Sequence, residues 1–128
     1  MLYLEKLLLV GSTFAKSLAI GNPADGYFAL KVLEESKGSA YAVREEDVVQ
    51  GIKDLAEMEG IFTEPAGGVV VATLKHLAHT GQIKPWETTV AFITGNGYKT
   101  SEVVATTVPK PITLGRTLSE FEAFLTGR

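Results

Sequence analysis

The 128-residue sequence predicts one α/β domain, a three-layer sandwich in which a mostly parallel sheet is flanked by helices. Three observations predict it. The segment "ETTVAFIT" (residues 87–94) is almost continuously apolar, as a strand covered on both faces must be. The segments before it carry apolar residues at helical spacing. Strand-like and helix-like stretches alternate, an order that calls for right-handed helical crossovers.

The chain starts "MLYLEKLLLVG", an apolar edge of strand or helix. Glu5 precedes the apolar run at residues 7–10 and no basic leader stands before it, so a signal peptide is disfavoured and the expected compartment is the cytoplasm. In "GNPADGYFALKVLEESKG" a helix starts at or just after Pro23, which suits a first turn, and Gly38 ends it. "SAYAV" (residues 39–43) suits a short strand. "REEDVVQGIKDLAEMEG" is a helix with Glu45, Glu46 and Asp47 in its first turn, where the helix dipole favours negative charge. Val48, Ile52, Leu55 and Ala56 give its apolar stripe and Gly60 stops it.

Ile61 and Phe62 lead into the next helix, which Pro65 opens and Gly81 closes. Gly67 and Gly68 would each cost this helix about 1 kcal/mol relative to Ala. Such glycines are best tolerated where something packs against the backbone. Apolar residues from Val69 to Ala78 cover more than one face, predicting a largely buried helix. After the apolar strand comes the glycine loop "TGNGYKT", then "SEVVATTV" as another short element. Thr117 and Glu120 fit a capping box for a last helix at about residues 117–126.

Composition narrows the function. Apolar residues make up 45% of the chain, enough for a core. A net charge of −3 argues against a nucleic-acid surface. Without cysteine there is no disulfide, thiolate nucleophile or Cys-ligated zinc. No apolar run approaches the roughly 20 residues that span a bilayer.

The candidate site is the glycine loop. In open α/β sheets ligands bind beyond the carboxyl ends of the strands. Thr94 stands at such an end, with a hydroxyl that can donate and accept. Gly95 and Gly97 allow a flat ligand close to the backbone; an ordinary glycine turn is the other reading. "TGNG" lacks the spacing of a phosphate loop or a dinucleotide fingerprint. Glu64, ahead of Pro65, can orient a ligand or cap its helix. Lys99 can meet an anion or simply solvate the loop. His76 and His79, three apart, share a helix face, but no third metal ligand accompanies them and they read as solvated. No metal site and no catalytic residue is assigned. The acidic group Glu34, Glu35, Glu45, Glu46 and Asp47 reads as solvated helix surface, and Trp86 as a packing anchor.

Three stretches together resemble the C-terminal part of pyridoxal-phosphate-dependent threonine synthase. They are "AIGNPADG" (residues 19–26), "AYAVREEDVVQGIKDLAEMEGIFTEPAGG" (residues 40–68) and "TTVAFITGNGYKT" (residues 88–100), in that order. The resemblance covers roughly residues 11–104. It implies the large domain of a fold type II pyridoxal-phosphate enzyme, similar to the tryptophan synthase β fold. It implies a lyase of threonine biosynthesis that turns O-phosphohomoserine and water into threonine and phosphate, with pyridoxal phosphate as cofactor. It places Thr94 at the cofactor's pyridine nitrogen, with Gly95 and Glu64 lining the same end of the sheet.

Two family features do not occur in this sequence: the lysine in a "SFKDR"-like motif that binds the cofactor covalently, and the "GGNAG"-type loop that cradles its phosphate. The isolated chain is therefore expected to be inactive, a remnant, truncated piece or split-enzyme half. Its expected partner is another copy of itself or a complementary N-terminal enzyme part. The alternative is a non-catalytic α/β binding or assembly module descended from such an enzyme.

Overall fold

A computed structural model describes residues 12–127. The apolar edge expected over residues 1–11 lies outside them. The described chain is helical. Helix α1 spans Gly26–Ser36, α2 Glu45–Glu59, α3 Pro65–His79, α4 Glu102–Ala105 and α5 Leu118–Thr126. A 3-10 turn, Gly97–Thr100, precedes α4.

The expected sheet is not there. Among the described residues the only β pairing is one isolated antiparallel bridge, Thr63 to Asn96. The stretches at residues 39–43 and 87–94 carry no regular secondary structure and form no ladder. Val90 is 72% and Phe92 75% exposed, where burial on both faces was expected. The physical reason lies in what a strand is. Apolar composition states which surroundings a segment needs, whereas a strand exists only when another backbone supplies N–H and C=O partners. Trp86, expected as an anchor, is 81% exposed for the same lack of neighbours.

The helices follow their local signals closely. Pro65 occupies the first turn of α3. Gly60 ends α2 in the left-handed conformation (φ 68°), and its N–H and that of Ile61 close back on Ala56 and Leu55. Helix α1 ends one residue earlier than Gly38 would place it. Lys37 takes the left-handed position (φ 55°), and the Gly38 N–H bonds to the Leu33 carbonyl at 3.0 Å. Thr117 and Glu120 form the expected capping box of α5.

Helices α2 and α3 make the extensive helix–helix contact. They meet backbone to backbone. A Cβ on Gly68 would lie 2.6 Å from the Val48 carbonyl, and one on Gly51 would lie 2.6 Å from the Gly68 carbonyl. The mid-helix glycines are therefore the contact itself, as the sequence implied for Gly68. Beside this seam lies a small core of Val48, Ile52 and Val104, with Phe14, Val43, Phe62, Val69 and Val103 against it. The three valines Val69, Val70 and Val71 are only half-buried, so α3 is less enclosed than its composition predicts. Helices α1 and α5 bury no residue.

Candidate functional site

The glycine loop is fastened to the start of α3. Phe62, Thr63 and Glu64 run alongside Gly95, Asn96 and Gly97. The Glu64 N–H donates to the Gly95 carbonyl at 3.2 Å, and the Gly97 N–H donates to the Phe62 carbonyl at 3.0 Å. This two-rung clamp brings Thr94, Gly95 and Glu64 together, although Glu64 and Thr94 are far apart in sequence.

Glycine is needed at both loop positions because protein side chains already occupy the space. The Glu64 side chain lies directly against Gly95, so a Cβ there would collide with its carboxylate. A Cβ on Gly97 would lie 2.7 Å from the Phe62 ring. Phe62 in turn meets Tyr98 edge-on, with ring centroids 5.4 Å apart. Glu64 stands at the N-cap position of α3, yet its side chain makes no cap hydrogen bond; only its carbonyl receives the Gly67 and Gly68 N–H groups. Its carboxylate faces the loop instead.

Thr94 is exposed, and its hydroxyl makes no hydrogen bond to another described residue. A hydroxyl with no protein partner can pair with a polar ring atom of a ligand. The loop does not suit a phosphate. The N–H groups of Gly97, Tyr98 and Lys99 are taken by the Phe62 carbonyl, the Asn96 Oδ1 and the Asn96 carbonyl. A phosphate cradle needs such groups free. The residues present therefore fit the ring end of pyridoxal phosphate and leave its phosphate to other residues.

Two sequence candidates lie elsewhere. His76 stacks on Tyr41 (centroids 4.1 Å apart), and its Nδ1 is 3.1 Å from the Tyr41 hydroxyl. His79 is exposed at the end of α3. Among the described residues no group of three or more His, Asp or Glu side chains is placed to hold a metal. Both histidines border a cleft of about 430 Å³ between α2, α3 and the extended segment before α2. None of Thr94, Gly95 and Glu64 lines it. Its cations are already paired, Arg44 with Asp47 at 3.0 Å and Lys75 with Asp54. Neither pair leaves a net field to draw an anion.

Sequence reasoning passed over Thr63. It is 1% exposed, and its hydroxyl donates to the Gly95 carbonyl at 3.0 Å. A signal existed: Thr63 stands four residues before Gly67, the spacing at which a side chain meets the next helical turn.

Comparison with known proteins shows the family of the chain. The profile of the pyridoxal-phosphate dependent enzyme family matches residues 4–95, and the chain belongs to that family. Within it, similar relatives include threonine synthases. That of Bacillus sp. (strain ULM1) is 38% identical over 92 residues, 71% of this chain and 26% of the relative. That of Methanocaldococcus jannaschii is 39% identical over 100 residues, 78% of this chain and 25% of the relative. That of Methanosarcina acetivorans is 34% identical over 116 residues, 91% of this chain and 29% of the relative. The chain thus spans about a quarter of the length of the relatives it matches. Among the described residues no helix is long and apolar enough to cross a membrane.

Proposed function

We propose that this chain is the C-terminal portion of a threonine synthase and forms one wall of its cofactor site. The whole enzyme would convert O-phosphohomoserine and water into threonine and phosphate. The observation that carries this reading is the juxtaposition of Thr94 and Gly95 with Glu64 in a chain 38% identical to a threonine synthase.

Pyridoxal phosphate, when bound, supplies the electron sink for carbanions at the substrate. The chain's own residues do simpler work. Thr94 would hold the ring end, its Oγ1 hydroxyl donating a hydrogen bond to the ring nitrogen. A neutral hydroxyl, unlike a carboxylic acid, would not transfer a proton to that nitrogen. Gly95 leaves room for the Glu64 side chain beside it. The covalent lysine and the phosphate cradle have no counterpart in these 128 residues, so the reaction needs a polypeptide that carries them. The chain by itself is accordingly expected to be inactive. A complementary N-terminal enzyme part is the partner this reading requires.

The same lack keeps a second reading alive, a non-catalytic module descended from such an enzyme. One experiment separates the two. The chain is mixed with a polypeptide supplying the lysine and phosphate loop, and cofactor affinity and threonine formation are measured. Thr94→Ala removes a hydrogen bond of about 1–3 kcal/mol, which lowers affinity or turnover roughly ten- to a hundredfold. Thr94→Ser, which keeps the oxygen, has a far milder effect. Equal activity of the Ala variant and the parent removes Thr94 from the site. No activity with any such partner favours the non-catalytic module.

A further inference from the structure

We infer that Thr63 is the positioning residue of the turn at residues 94 and 95: its buried hydroxyl holds the Gly95 carbonyl and so fixes the point from which the Thr94 side chain projects. Its bearing on a ligand rests on the role proposed for Thr94.

Thr63 is 1% exposed, among the most buried side chains described. Its hydroxyl has one proton and two acceptors in reach, the Gly95 carbonyl at 3.0 Å and the Glu64 carbonyl at 3.3 Å. The shorter contact is the one that spans 32 residues of sequence. The Gly95 carbonyl also accepts the Glu64 N–H at 3.2 Å, so both of its lone pairs are occupied. One oxygen is thereby held from two directions. The rung between Gly97 and Phe62 prevents the loop from pivoting about it.

The surroundings are shaped to admit that hydroxyl. A Cβ on Gly67 would collide with the Thr63 Oγ1 and lie 2.8 Å from its Cβ and Cγ2. The first turn of α3 is therefore bare where Thr63 needs it. Valine has the same shape as threonine and would fill the space without burying a polar atom. What valine lacks is the donor to Gly95. The hydroxyl contributes placement of the loop.

The test is residue-resolved amide exchange on the full chain, comparing the parent with Thr63→Val, Thr63→Ser and Thr94→Ala. The Glu64 and Gly97 N–H groups report the clamp, and the Ile52 N–H in α2 reports the fold. In Thr63→Val the two clamp amides exchange about tenfold faster, the effect of one lost hydrogen bond, while Ile52 is unchanged. Thr63→Ser restores the parent rates. Parent-like rates in Thr63→Val overturn the inference. So does a Ser variant as fast as the Val variant, because methyl packing would then set the loop. If Thr63→Val unfolds the chain, the parent decides through its three-bond couplings at Thr63. One fixed χ1 rotamer supports the inference and averaged rotamers overturn it. Thr94→Ala leaves both clamp amides at parent rates, so a failed cofactor role for Thr94 is read separately, in cofactor affinity.

Discussion

Single atoms decide how close α2 and α3 can come. Gly51 has no side chain, and a Cβ there would lie 2.6 Å from the Gly68 carbonyl and 3.3 Å from the Ala72 nitrogen. Both are backbone atoms of a helix and cannot turn aside. Two effects therefore oppose each other in Gly51→Ala. Alanine gains about 1 kcal/mol of helix propensity. Overpacking against a fixed backbone costs about 1–3 kcal/mol and separates the helices. The second effect wins, and Gly51→Ala lowers the denaturation midpoint followed by helical circular dichroism. A raised midpoint would mean that the seam is looser than described. Gly51 drew no notice in the sequence, where a single glycine in a helical pattern resembles a tolerated defect. Gly67 and Gly68 were legible because they are adjacent, a cost no helix carries without a contact to offset it. The contact of Thr63 with Gly95 was hidden because an apolar and acidic neighbourhood says nothing about a contact 32 residues away.

At the scale of elements, the helix pair α2–α3 carries a pH-sensitive strut. Lys75 on α3 reaches Asp54 on α2, and Gln50 also donates to Asp54, at 2.7 Å. Hydrogen bonds from Lys75 and then Gln50 hold the Asp54 carboxyl below its ordinary value of 3.8. A carboxyl depressed on folding stabilises the fold above its unfolded pKa, and that contribution is lost as pH falls through the folded pKa. The helix pair is therefore expected to weaken below about pH 4. Asp47, hydrogen-bonded by Arg44, and Glu120, hydrogen-bonded by Thr117, shift in the same direction on the surface. The difference between parent and Asp54→Asn isolates the strut. Thermal unfolding at pH 3 and pH 6 should show a smaller drop for Asp54→Asn than for the parent. Equal drops would mean that the pair contributes nothing, as many exposed ion pairs do.

The whole molecule leaves much apolar surface uncovered. Its solvent-accessible surface is 10693 Å², where a compact chain of 13.7 kDa has about 6,600 Å². Phe92, Val90, Trp86 and Leu118 are all at least 70% exposed. Two segments, at residues 39–43 and 88–94, carry no regular secondary structure among the described residues. Exposed apolar surface of this kind invites association. The chain is expected to be a dimer or higher oligomer across micromolar concentrations, and light scattering checks this. A clean monomer would defeat the expectation. Adding a polypeptide that carries the rest of the enzyme should replace self-association with a mixed complex.

What the sequence determined by itself is local. Pro65, Gly60 and the pair Thr117 and Glu120 set helix ends through contacts within one turn, and the structure puts those ends there. The stretches at residues 19–26, 40–68 and 88–100 together indicated the family. Tertiary structure alone decided two further things. It joined Thr63 and Glu64 to the glycine loop, a meeting fixed by hydrogen bonds between residues distant in the chain. It also left the apolar segment at residues 88–94 without a strand partner among the described residues. A helix satisfies its backbone within itself, so its own residues suffice to specify it. A strand satisfies its backbone on a neighbour, and no pattern of apolar side chains provides one.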